Sequence, residues 1–216
     1  MGRTIEVHEP YVDNEQVFIT SEQQLIELDE IFRKFEGMSG AILNRDMKTK
    51  ILGLGKWKEK EDWVLPWIQT VKKLKSLGFI FTSNFKETVK LTWLEAVENM
   101  RKVALTWSAR VLPTLQQRVD VCHTFLTSIV WYKAQVLLIP DNVAQKIEQI
   151  MGTFLWKGWL ERIPLALCKQ GREVGGIGLV DVKEKGKALV LKNILRMLGQ
   201  ENEMMMYWLW ISLREI

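Results

Sequence analysis

Few residues of this chain could do chemistry, and the sharpest set is Tyr11-Val12-Asp13-Asn14. Residues 3–8 alternate polar and apolar as a half-buried strand does. Gln16 to Thr20 is a second β-rich run, so Asp13 and Asn14 fall at the tip of an expected β-hairpin. An Asp-Asn pair is what an ordinary hairpin carries at its turn. It is also a pair of oxygen donors. Hard cations take oxygen ligands, and two-metal phosphoryl transfer needs clustered carboxylates. Asp13 is a single carboxylate and Asn14 brings no charge, so these two alone cannot hold two metal ions.

Other candidates are weaker. Cys122 lies beside His123, but neighbours on a helix point to different faces, and no third group completes a nucleophile–base set. Two cysteines and two histidines give no zinc ligand set. Gly175-Gly176-Ile177-Gly178 lacks the spacing of a dinucleotide fingerprint and reads as a turn. Lys56, Lys58 and Lys60 interleave with Trp57 and Trp63. That is the recipe for a nucleic-acid surface, and equally a solvated loop with two apolar anchors, the simpler reading. Trp93, Trp107, Trp131 and Trp156 read as helix core. Arg101, Lys102, Arg110 and Arg118 read, from the residues alone, as solvated helix faces.

These groups sit on a chain of 216 residues, 47% hydrophobic and 26% charged, which suits a packed core and argues against disorder. A net charge of +4 and a pI near 9.0 permit a nucleic-acid partner without demanding one. Ten tryptophans imply thick helix packing, a stacking surface, or both. The two distant cysteines form no disulfide framework, so an intracellular setting, cytoplasm or nucleus, is expected. Glu6, Glu9, Asp13 and Glu15 interrupt any secretory leader. The apolar run Phe125 to Ile139 is broken by Lys133 and falls short of the about 20 residues that span a membrane, so no membrane partner is expected.

The elements that must position these residues divide into an α+β part and a helical part. Ser21 with Gln24 forms a capping box for a helix whose face is Leu25, Leu28, Phe32 and Phe35, ended by Gly37 and Gly40. Residues 41–54 read as two short strands around a basic turn, Asn44 to Lys50. Lys56 to Trp67 reads as a loop, and Leu74 to Phe81 as a short strand or hairpin about Gly78. Helices are expected over 87–111, 115–138 and 142–156, the last capped by Asp141, and again over 182–198 and 204–213.

Along this order the chain resembles the reverse transcriptases of non-LTR (LINE-type) retrotransposons. Tyr11 to Asn14 is similar to their Tyr-Ala-Asp-Asp box. Ser39-Gly40-Ala41-Ile42-Leu43-Asn44, with Lys48-Thr49-Lys50 after it, is similar to polymerase motif D. Leu77-Gly78-Phe79-Ile80-Phe81 looks like the primer-grip hairpin. There follow Trp107-Ser108-Ala109-Arg110, Leu115-Gln116-Gln117-Arg118, the Trp-Tyr-x-Ala-Gln segment from Trp131 to Gln135, Phe154-Leu155-Trp156-Lys157-Gly158, and Gly175-Gly176-Ile177-Gly178-Leu179. No single piece is specific; the ordered set, from about residue 11 to 198, is.

The resemblance implies an α+β palm remnant (hairpin, helix and short strands) over 1–83, a mostly α-helical thumb over 84–160 and a helical extension over 161–216. It implies a fragment of an RNA-directed DNA polymerase, with RNA template and DNA primer as partners and Mg2+ as the metal of the intact enzyme. Asp13 and Asn14 would face the metal, and Lys48 (or Lys50) would serve as the motif D lysine. Tyr11, Leu77, Gly78, Arg110 and Arg118 would contact nucleic acid. Two departures count against catalysis by this chain. The second acidic position of the box is Asn14, and Met47 falls where counting from Asn44 expects the lysine. The family's finger motifs and first palm aspartate, which precede the box by many residues, have no counterpart in the ten residues before it, so the chain alone is expected to be inactive. The alternative is a non-enzymatic helical module that binds nucleic acid or a protein.

Overall fold

In a computed structural model the described residues are 16–43, 45, 49–112, 114–157 and 163–198. Tyr11, Asp13, Asn14, Asn44, Met47 and Lys48 therefore lie outside them, as do strand 3–8 and the expected helix 204–213. The fold is α+β with a helical C-terminal region, and it divides into two compact units. The first takes Met1–Ser76 and Phe81–Phe85, the second Leu77–Ile80 and Lys86–Ile216. Among the described residues no helix is long and apolar enough to cross a membrane.

In the first unit, helix α1 spans Glu22–Ser39 and begins on the expected capping box. The Gln24 N–H donates to Ser21 Oγ, and Gln24 Oε1 accepts from the Ser21 N–H, each at 3.3 Å. The helix passes through Gly37 and ends at Gly40, in the left-handed conformation at φ 71°. Its inner face departs from the periodic reading. Leu25 is buried, but Phe35 is 53% exposed, and the other buried position is Asp29. Asp29 is held there by Arg33 Nε at 2.8 Å and Arg45 Nη2 at 3.5 Å. Arg45 also forks onto Glu36, at 2.7 and 2.9 Å. That bond, with the Leu43 N–H second, holds the Glu36 carboxyl below its usual range. A turn of basic character thus closes onto α1 through carboxylates, which apolar periodicity does not register.

The strand pair expected within 41–54 does not form among the described residues. Only Lys50–Ile51 (β1) is extended, and it pairs in parallel with Gln69–Thr70 (β2). Between them Trp57 and Trp63 meet edge to face at 5.6 Å, with Trp63 buried, so two aromatic anchors pin the charged loop. Of the run Gln16–Thr20, only Val17 makes a strand bridge. Lys73–Ser76 (β3) and Phe79–Thr82 (β4) form the hairpin expected about Gly78.

The second unit is built on α2, Phe85–Ser108. Thr88, Thr92, Ala96, Met100 and Ala104 recur every fourth residue on its buried side, joined by Trp93 and Val97, the stripe a core-facing helix requires. α3 (Leu115–Val121), α4 (Ser128–Ala134) and α5 (Asp141–Leu155) share its core cluster; α3 lies against α5, α7 (Val182–Leu198) lies against α4 and α5, and α6 (Leu165–Cys168) completes the unit. Trp93 is fully buried and its indole N–H donates to Leu138 O at 3.1 Å. The helix expected over 115–138 is not continuous. Cys122–Leu126 is π-helical, with the Thr127 N–H donating to Cys122 O. Thr127 Oγ1 donates to His123 O and Ser128 Oγ to Phe125 O, so hydroxyls serve carbonyls there. Asp141 is not the cap of α5: Pro140 holds that position, and Asp141 is the first helical residue, 2.7 Å from Lys183 Nζ. A carboxylate there suits the positive end of the helix dipole.

Candidate nucleic-acid interface

The Leu77-Gly78 turn joins two strands with only two residues. Tight turns of this kind need positive φ at both, and Leu77 has φ 45° and Gly78 φ 78°. Glycine adopts this region freely, whereas a leucine there is strained. The turn is fixed from behind by α4. Tyr132 donates its hydroxyl to Leu77 O at 2.9 Å, and Lys133 Nζ donates to Gly78 O at 2.6 Å. Lys133 is 5% exposed and its ammonium also lies 5.7 Å from the Phe79 ring centroid. Phe79 packs against Tyr132, and the Ile80 N–H donates to the buried Thr92 hydroxyl at 3.1 Å. With both turn carbonyls taken up, the Leu77 side chain is left 61% exposed at the tip. A Cβ added at Gly78 would stand 3.3 Å from the Tyr132 ring, a tight approach that adds to the strain of φ 78°.

Arg110 and Arg118, paired by their motifs in the sequence, have different surroundings. Arg110 is exposed, its guanidinium 4.3 Å from the Trp107 ring centroid. Arg118 is half-buried and its fork is spent on backbone: Nε and Nη2 donate to Leu112 O at 3.2 and 3.1 Å, and Nη1 to Leu155 O at 2.6 Å. Leu155 is the last residue of α5, whose terminal carbonyls have no partner within the helix. Arg118 thus ties the α2–α3 connection to the end of α5. Three of its N–H groups serve backbone carbonyls, a structural role that its reading as a nucleic-acid contact did not anticipate.

The other sequence candidates separate similarly. Lys50 opens β1 and is exposed. Arg101 is exposed beside Glu98 at 3.6 Å. Cys122 is buried, with burial pushing its thiol up to about 12, which removes it as a nucleophile. His123 instead accepts the Val180 N–H through Nε2 at 3.2 Å. Burial, Lys185 and Arg172 hold its pKa below the usual value against the opposing pull of Asp120. Among the described residues no three His, Cys, Asp or Glu side chains are placed to hold a metal ion. Asp13 and Asn14 lie outside those residues. Tyr132 and Lys133, which fasten the Leu77-Gly78 turn, are positions that sequence reasoning did not connect with it. Lys133 had a signal: a lone charge inside the apolar run Phe125 to Ile139 has to find an oxygen.

No protein-family model matches the sequence. The chain is similar to an Arabidopsis thaliana protein named "Putative ribonuclease H protein At1g65750", 24% identical over 124 residues. The match takes in 55% of this chain and 20% of that protein, so the chain spans about a fifth of the relative's length.

Proposed function

We propose that this chain is the template–primer-holding part of an RNA-directed DNA polymerase of non-LTR retrotransposon type. One observation carries the reading. The Leu-Gly turn similar to a primer grip is fastened by its two carbonyls to Tyr132 and Lys133, in the Trp-Tyr-x-Ala-Gln segment of the same resemblance. Two motifs far apart in sequence meet in one contact, and what the contact fixes is a turn with an outward Leu77. A grip that must hold a primer end in register needs such a rigid support. Arg118 makes a second junction of this kind, between the Leu-x-x-Arg segment and Leu155 of the Phe-Leu-Trp-Lys-Gly segment. The relative's name refers to ribonuclease H, which agrees with a nucleic-acid setting. On this reading the chain's own residues bind and orient nucleic acid inside the cell, in cytoplasm or nucleus; bond formation is not assigned to them.

The test is binding of the purified chain to an RNA–DNA primer–template across a salt series. The expected result is an affinity that falls linearly in log K against log salt, as phosphate contacts release counterions. Absence of binding at low salt would overturn the proposal.

A further inference from the structure

Beside Arg110 the second unit carries an arrangement that the polymerase resemblance does not supply. Phe125, on the π-helical segment, has its ring centroid 4.5 Å from that of Trp107, with 35° between the planes. The Arg110 guanidinium lies 4.3 Å from the same indole. Three flat groups are therefore gathered on the surface, one of them cationic. Trp107 is half-buried against the core and anchors the set, while Phe125 stands outside the core and is 43% exposed. Among the described residues Arg110 makes no ion pair with a carboxylate. A π-helical turn is a costly deviation that recurs at functional sites, and here it sets the direction of Phe125.

We infer that Phe125, supported by Trp107, whose indole also carries the Arg110 guanidinium, is a stacking platform for one unpaired nucleotide base, as at a single-stranded template overhang. The inference rests on the nucleic-acid reading above and adds a ligand class to it. An aromatic face with a neighbouring cation suits this ligand on two counts. Every base offers a π-face to stack, and the phosphate linking it to the next nucleotide takes the guanidinium charge. A base paired within a duplex has its faces occupied by its neighbours, so the platform discriminates for unpaired ends.

The experiment uses the full chain and three labelled ligands: a single strand, a primer–template with an overhang, and a blunt RNA–DNA duplex. Phe125→Ala, Phe125→Leu and Phe125→Tyr are compared with the parent, each checked for an unchanged melt. Phe125→Ala and Phe125→Leu are expected to weaken the single strand and the overhang by about tenfold or more. Blunt-duplex binding should stay unchanged, and Phe125→Tyr should retain parent affinity. Leucine keeps apolar bulk without a π-face, so parent-like binding by Phe125→Leu would overturn the stacking claim. Equal losses on all three ligands would overturn it too, since they would report a structural role. If Phe125→Ala binds overhangs like the parent, the platform fails and the wider reading stands. If the parent binds none of the three, both fall.

Discussion

Replacing Arg118 by methionine is the perturbation that most directly separates a structural arginine from a nucleic-acid contact. Its guanidinium donates three bonds to two carbonyls, Leu112 O and Leu155 O. A hydrogen bond with a charged donor contributes about 1.5–3 kcal/mol. Counting one effective bond per carbonyl gives about 3–6 kcal/mol gross. Arg118 is half-buried, so water can reach part of what it leaves, and a net loss of about 2–4 kcal/mol is expected. Against a total of about 5–15 kcal/mol for a domain, that moves the urea midpoint far outside error. Arg118→Lys keeps the charge and loses the fork, so it should recover only part of the loss. Arg110→Ala is the contrasting arm. It removes an exposed cation–π contact, so stability should fall by no more than about 1 kcal/mol, while the salt slope of nucleic-acid binding drops by about one. The assay is urea unfolding followed by tryptophan emission, beside the salt series. Parent-like stability of Arg118→Met together with a reduced salt slope would refute the reasoning, because Arg118 would then be gripping phosphate.

Three further outcomes are expected. Leu77→Asn should raise the melting temperature, because asparagine tolerates the left-handed region where leucine costs about 1–2 kcal/mol; lower affinity for primer–template in the same variant would assign the strained leucine to binding, and a lower melting temperature would sink the account of strain. His123 is held below its ordinary value of 6.5, so the unfolded chain takes up the proton first. Its contribution to stability is complete above pH 6.5 and is lost as pH falls from there through the folded value; urea midpoints measured across that interval should decline, and His123→Gln should flatten the decline. Gly186, in α7, lies so close to Ile139 that a Cβ would stand 2.7 Å from Ile139 Cδ1. Gly186→Leu should therefore destabilise by about 1–3 kcal/mol despite leucine's better helix propensity, and thermal unfolding at parent stability would contradict that packing.

What could be read from the sequence was mostly local. The Ser21/Gln24 box and the hairpin about Gly78 are written in residues a few positions apart, and both formed as expected. The pairing of Lys50–Ile51 with Gln69–Thr70 depends on a distant partner, which the local pattern of 41–54 does not reveal. Apolar spacing put Phe35 inside, but Arg45 draws carboxylates of α1 inward and Phe35 stays out. The break in 115–138 was invisible because the buried residues on either side keep a helical spacing across it. At the candidate site, the motif order located the Leu77-Gly78 turn and Arg110. It could not tell an arginine that faces water from one that faces a helix end, since both stand in the same kind of four-residue pattern.

The π-helical turn at Cys122–Leu126 also bears on how this stretch can vary in length. It stores one residue more than an α-turn would need, and confines it locally. An insertion or deletion elsewhere along 115–134 would turn everything beyond it by about 100° about the helix axis, taking Lys133 away from Gly78 O. A one-residue deletion inside the turn would instead let the ladder close as ordinary α-helix, with Val119 behind it and Tyr132 and Lys133 ahead still in phase. The grip on the hairpin would survive, and the outward Phe125 would be redirected. The segment is thus where the chain can gain or shed a surface feature in a single step while the scaffold keeps its register.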